Sequence, residues 1–167
     1  MLMKIRPETE NDFAQVYRVN ALAFESEAEA KLVEKLRAVE PQISLVAETG
    51  GEIVGHIFFS PVTLDGEATD FLGLAPMAVL PEFQNQQIGS KLVEEGLRIA
   101  RERGFTAVFV LGHARYYPRF GFSTARLKGF TCEYEVPDDV FMALELAGGA
   151  LAGKKGLVKY RPEFAEV

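Results

Sequence analysis

Two tight-turn signals constrain this chain more than anything else in it. Thr49-Gly50-Gly51-Glu52 and Asp65-Gly66 lie at the two ends of Ile53–Leu64. Glycine tolerates the positive φ that two-residue hairpins require, so both segments predict reversal of a strand onto its neighbour. With Ile43–Glu48 before and Phe71–Leu80 after, the middle of the chain reads as a three-stranded antiparallel meander. Ahead of it stand a short strand, Leu2–Arg6, and a helix whose Phe13, Val16, Tyr17, Asn20 and Phe24 recur at helical spacing. Ser26 and Glu29 predict a capping box opening a second helix through Leu32, Val33 and Leu36. Pro81 stops the meander. A helix over 87–103 follows, apolar along Ile88, Leu92, Gly96 and Ala100, polar on the other face, and closed by Gly104. Thr106–Leu111 is apolar throughout, as a strand buried on both faces is. A short helix at Tyr116–Phe120 and strands near Phe130–Val136, Phe141–Leu146 and Leu157–Arg161 complete the series. The fold class is α+β with a mixed sheet and a βαβ-like unit over 71–111.

Composition excludes several classes. The 167 residues suit a single domain, with 1–81 holding the first strand, two helices and the meander, 82–122 the central helix and its flanking motifs, and 123–167 the last strands. No apolar run approaches the roughly 20 residues that span a bilayer, so no membrane partner is expected. Met1–Glu10 reaches charge without an apolar stretch, so no signal peptide is expected. One cysteine, Cys132, and two histidines, His56 and His113, are poor material for a disulfide or a structural zinc, and the expected compartment is a reducing cytoplasm. Cys132 itself reads most simply as a small buried apolar group. A net charge of −6 argues against nucleic acid as a partner. The charge is uneven, however: residues 82–130 carry eight Lys/Arg against four acids, a net +4, and leave −10 for the rest. That distribution suits an acidic protein with one anion-binding edge.

Pro81-Glu82-Phe83-Gln84-Asn85-Gln86-Gln87-Ile88-Gly89-Ser90 joins a strand to the start of a helix. A helix N-terminus presents unpaired N–H groups and about half a positive charge, which suits phosphate oxygens. Gly89 allows close approach to the backbone, and Gln84 and Asn85 add polar contacts. A second segment, Gly112-His113-Ala114-Arg115-Tyr116-Tyr117-Pro118-Arg119-Phe120-Gly121-Phe122, follows the buried strand. Phe120 and Phe122 read as core. Tyr117 has a hydroxyl able to donate a proton.

Both segments resemble the GNAT acyltransferases. Gln84-x-x-Gln87-x-Gly89 is similar to the Gln/Arg-x-x-Gly-x-Gly/Ala signature that binds the coenzyme A pyrophosphate, with Gln87 where the family usually has glycine. Tyr117-x-x-x-Gly121-Phe122 is similar to the family's Tyr-x-x-x-Gly-Phe. The fuller run from Leu111-Gly112-His113 to Phe122, with Gly55-His56 and Phe59-Ser60, resembles the YhbS-like branch of that family. The resemblance runs over nearly the whole chain, more loosely after Phe130. It implies a mostly antiparallel GNAT sheet flanked by helices, with acetyl-CoA as co-substrate and no metal. The pyrophosphate would lie on the amides of Gln86, Gln87, Ile88, Gly89 and Ser90. The pantetheine would pair with the backbone of Met77, Ala78 and Val79. Tyr117 would hydrogen-bond the sulfur and act as general acid, with His113 lining the site. The implied reaction is direct acetylation of a primary amine of a small molecule or peptide.

Many family members carry a glutamate on the strand before the phosphate turn, but Phe71–Val79 has no carboxylate. Glu25, Glu27, Asp70, Glu133, Glu135, His56 or a water relay remain as bases, although alternation puts His56 on a core face. A cationic acceptor would suit Glu25, Glu27, Glu133 and Glu135. The missing carboxylate and Gln87 also leave open a CoA-responsive binding module with little turnover, as monomer or homodimer.

Overall fold

The computed structural model describes residues 2–166. Among the described residues, nine strands form a mixed, mostly antiparallel sheet accompanied by three α-helices. The chain divides into two compact units. One holds the residues up to Phe59, Pro76–Ile99 and the segment from Pro162. The other holds Ser60–Ala75 and Ala100–Arg161.

In the first unit β1 (Met3–Pro7) lies antiparallel to β2 (Ile43–Thr49), which lies antiparallel to β3 (Glu52–Leu64). The turn between β2 and β3 takes the positive φ read from its sequence, 57° at Gly50 and 79° at Gly51. Helices α1 (Phe13–Phe24) and α2 (Ala28–Leu36) pack together, burying Val16 and Val19 on one and Leu32, Val33 and Leu36 on the other. The expected capping box at Ser26 and Glu29 does not form. Glu27 takes the cap position, so Ser26 lies one residue too early and its Oγ accepts only from the Ala28 amide, at 3.1 Å. The box appears instead at Thr9 and Asp12, ahead of α1.

The start of α3 (Ile88–Glu102) rests on β3 through two glycines. A Cβ on Gly55 would sit 3.0 Å from Leu92 Cδ1, and a Cβ on Gly96 would fall inside the Phe59 ring. Gly96 therefore belongs to the apolar face of α3 because Phe59 fills the space a side chain would take.

In the second unit the last part of β3 joins β4 (Glu67–Val79) through Asp65 and Gly66, with φ of 51° and 81°. Strand β4 extends four residues further back than the expected Phe71 start. Phe71–Leu74 of β4 pair in parallel with Ala107–Val110 of β5 (Ala107–Leu111). Strand β8 (Phe141–Glu145) lies antiparallel to β5 and to the short β6 (Ser123–Thr124). Strand β7 (Phe130–Cys132) runs parallel to β9 (Gly156–Lys159), which pairs antiparallel with β3. Phe109 centres the core, with ring centroids 5.8 Å from Phe71, 5.3 Å from Phe130 and 5.7 Å from Phe141. The strand expected over Phe130–Val136 ends at Cys132, the last residue with a partner on β9. Beyond it Glu133, Tyr134 and Glu135 are exposed.

Candidate active site

The turn between β4 and α3 is built as a polar shelf. Leu80–Gln84 fold into a 3-10 turn, with Phe83 N donating to Leu80 O at 2.8 Å. The Gln84 side chain reaches back, Nε2 donating to Val79 O at 3.0 Å, and ties the turn to the end of β4. Gln84, Asn85, Gln86 and Gln87 are all exposed, while Ile88 is buried against β3. The Lys91 amide donates to Gln87 O at 3.1 Å, closing the first helical bond. The amides before it belong to the stretch for which a helix supplies no acceptor of its own.

Two residues of the shelf, Asn85 and Gln87, lie in the left-handed region, with φ of 64° and 67°. Gln87 therefore occupies a left-handed position with a side chain, where the family signature has glycine. The left-handed conformation costs an L-residue about 1–2 kcal/mol. Gln87 bears that cost, and its side chain is exposed.

Tyr117 opens the 3-10 turn Tyr117–Phe120, which ends on Gly121 at φ 102°. The turn is built on His113, whose carbonyl accepts from the Tyr116 amide at 3.0 Å and the Tyr117 amide at 3.4 Å. The His113 side chain is exposed, so the structure shows its backbone, rather than its ring, at work. The Tyr117 ring is only 6% exposed. It meets Tyr116 and Phe122 edge-on, at 5.1 and 5.7 Å between centroids. A Cβ on Gly112 would land on the Tyr117 ring, so the glycine after β5 is what admits it. No described residue hydrogen-bonds the Tyr117 hydroxyl. Burial, and then Tyr116, push its acidity far below that of a free phenol, so it stays protonated.

The candidate bases are dispersed. His56 is fully buried and occupied on both ring nitrogens, by Asn20 Nδ2 at 3.2 Å on Nδ1 and Ser44 Oγ at 2.9 Å on Nε2. Ser44 Oγ in turn donates to Glu8 Oε1 at 3.0 Å, and Arg37 closes the chain on Glu8 at 2.7 Å. Asn20 also donates to Val16 O, which fixes its amide and makes His56 Nδ1 the acceptor. Burial foremost, with Arg37, lowers the His56 pKa to about 3. His56 is a core histidine. Asp70 accepts from Thr106 Oγ1 at 2.8 Å and pins the start of β5. Glu133 accepts from the Tyr160 amide at 3.3 Å. Glu25 holds a left-handed cap at φ 53° after α1, and Glu27 pairs with Lys31 at 3.8 Å. Glu135 is exposed. The sequence presents Asn20 only as a helix position and Tyr160 only as part of a strand over Leu157–Arg161, whereas the strand found, Gly156–Lys159, ends before Tyr160.

By comparison with known proteins, this chain is an acyltransferase of the GNAT class. The profile of the Acetyltransferase (GNAT) family matches residues 11–122, and the chain belongs to that family. Among individual relatives, the uncharacterised N-acetyltransferase YhbS of Escherichia coli strain K12 is 38% identical over 164 residues, covering 97% of this chain and 98% of YhbS. The uncharacterised N-acetyltransferase YjhQ of the same organism is 40% identical over 135 residues, covering 77% of this chain and 75% of YjhQ. A solved structure of Escherichia coli YhbS in complex with CoA matches with a TM-score of 0.92 and 36% identity, over 98% of this chain and 92% of that one. A GNAT family acetyltransferase from Brucella melitensis, in complex with acetyl-CoA, matches with a TM-score of 0.82 and 34% identity over 98% of each chain.

Two expected outcomes follow from this geometry. Gln87→Gly relieves the left-handed strain, less the entropy glycine adds to the unfolded chain, and should stabilise the protein by up to about 1 kcal/mol in urea titration. A lowered midpoint would contradict the strain. For His56 the folded pKa of about 3 lies below the ordinary 6.5, so the unfolded chain binds more protons between those values. Stability should then fall as pH drops from about 6.5 toward about 3, and His56→Gln should flatten that slope. An unchanged slope would remove His56 as its source.

Proposed function

We propose that this protein transfers the acetyl group of acetyl-CoA to a primary amine of a small molecule or peptide, by direct attack. Family membership and the two relatives solved with CoA and acetyl-CoA support the co-substrate. The observation that carries the chemistry is the buried, protonated Tyr117 with no described hydrogen-bond partner on its hydroxyl. In this reading the pyrophosphate rests on the amides of Gln86–Ser90, with Gln84 and Asn85 beside it. The backbone of Met77, Ala78 and Val79 lies along the pantetheine, and an amide there polarises the thioester carbonyl. The neutral amine adds to that carbonyl carbon. The tetrahedral intermediate collapses, the C–S bond breaks, and the departing sulfur takes the Tyr117 proton, giving the amide and CoA. The amine's own proton leaves to water or to a carboxylate outside β4, since β4 from Phe71 to Val79 carries none. His113 supports the loop that seats Tyr117. We place the protein in the cytoplasm, where acetyl-CoA is made and used.

Calorimetry with CoA and a screen of primary amines test this reading. CoA should bind the wild type, and at least one amine should be acetylated. Tyr117→Phe should lower kcat by about 10²-fold, within the range a general acid contributes, with CoA affinity little changed. Full kcat in that variant would overturn the role of Tyr117. Absence of CoA binding at millimolar concentration would overturn the reading as a whole.

A further inference from the structure

The parallel register between β4 and β5 is short. It runs from Phe71 and Ala107 to Leu74 and Val110, after which β4 continues toward Val79. Close to the end of that register, Tyr160 crosses the sheet. It follows β9, which is held to β3 through Thr63 and Lys159. Its ring lies in the space left by Gly73 of β4, where a Cβ would come within 2.6 Å of Tyr160 Cε2 and 2.9 Å of Val62 Cγ1. Gly73 is the register partner of Phe109. The Tyr160 hydroxyl reaches past Gly73 and donates to Phe109 O at 3.2 Å. One buried side chain therefore starts beside β3, passes over β4 and bonds β5, one pair before the register ends. Glu133 fixes its backbone from the other side, accepting from the Tyr160 amide at 3.3 Å.

From this arrangement we infer that Tyr160 is a positioning residue for acetyl transfer, a clamp that fixes β5 against β4 near the end of their parallel register. The inference rests on the acetyl-CoA reading above, in which the end of β4 lies along the pantetheine and Tyr117 follows β5. The hydroxyl remains a donor at every working pH. Burial foremost, and then Tyr117, Cys132 and Tyr134, keep the phenol protonated. The ring supplies reach and the glycine supplies room. Neither explains the hydroxyl, which is spent on the Phe109 carbonyl one pair before the register ends. A purely packing role would be filled by phenylalanine, and that sets the test.

Tyr160→Phe removes only the oxygen. The expected result is a fall of five- to fifty-fold in kcat/KM for acetyl-CoA. The KM of the amine acceptor should be unchanged and the melting temperature near that of the wild type. Gly73→Ala, which displaces the ring, should reproduce the same kinetic pattern with a lower melting temperature, and the double variant should have a kcat/KM no worse than the poorer single one. Should Gly73→Ala fail to fold, Tyr160→Phe alone decides. Wild-type kinetics in Tyr160→Phe, or a loss of activity in that variant matched by a large fall in its melting temperature, would overturn the clamp. Because CoA binding by the wild type is measured first, failure of the acetyl-CoA reading is distinguished from failure of the clamp.

Discussion

Four residue pairs between β4 and β5 carry much of the architecture of the second unit. A parallel pair cannot be closed by a hairpin; it needs a long crossover, and α3 is that crossover. The requirement explains several features together. Strand β5 is apolar at every position because a parallel strand between neighbours is covered on both faces. Helix α3 must come close to the sheet, and Gly55 and Gly96 remove the side chains that would hold it off. The turn between β4 and α3 must change direction at once. It does so with two left-handed residues and a 3-10 turn, and it leaves amides of the helix start on an exposed shelf.

Local chemistry made most of the elements legible in the sequence. Gly50-Gly51 and Asp65-Gly66 named both hairpins because a positive φ at a two-residue turn has few solutions. The α3 period and the apolar β5 left little choice. Two expectations missed by a few residues at the ends of elements. Ser26 and Glu29 match a capping box, but the helix begins one residue later than that box needs. Phe130–Val136 has strand-like residues at its start, yet its pairing with β9 ends at Cys132, opposite Val158. Of the candidate site, the shelf and Tyr117 were readable because each is a contiguous motif. Tyr160 was not, since its meaning comes from Gly73 and Phe109, and no spacing along the chain links the three.

The backbone at Gln87 decides what its departure from the motif costs. Glycine in a signature answers one of two needs: room for a ligand, or a positive φ. Here φ is 67°, so the second need is present and a side chain meets it at a cost. The binding groups of such a shelf are amides, which a change of side chain does not remove. The departure therefore bears on stability before it bears on chemistry.

His56 and Tyr117 show burial acting in opposite senses on the same question of proton traffic. Both rings are buried, and in both burial favours the neutral form. For His56 neutrality removes charge, and its two nitrogens are already spent on Asn20 and Ser44, so it has nothing to exchange. For Tyr117 neutrality is retention of a proton, and its hydroxyl is engaged by no other described residue. The same desolvation strips His56 of the proton it would carry as a cation and keeps the proton on Tyr117, while also making Tyr117 a weaker acid than a free phenol. An acyl transfer that expels a thiolate needs a proton at the sulfur and has no use for one already lost. In the proposed reaction that proton comes from Tyr117, buried and protonated, rather than from His56, whose two nitrogens are occupied.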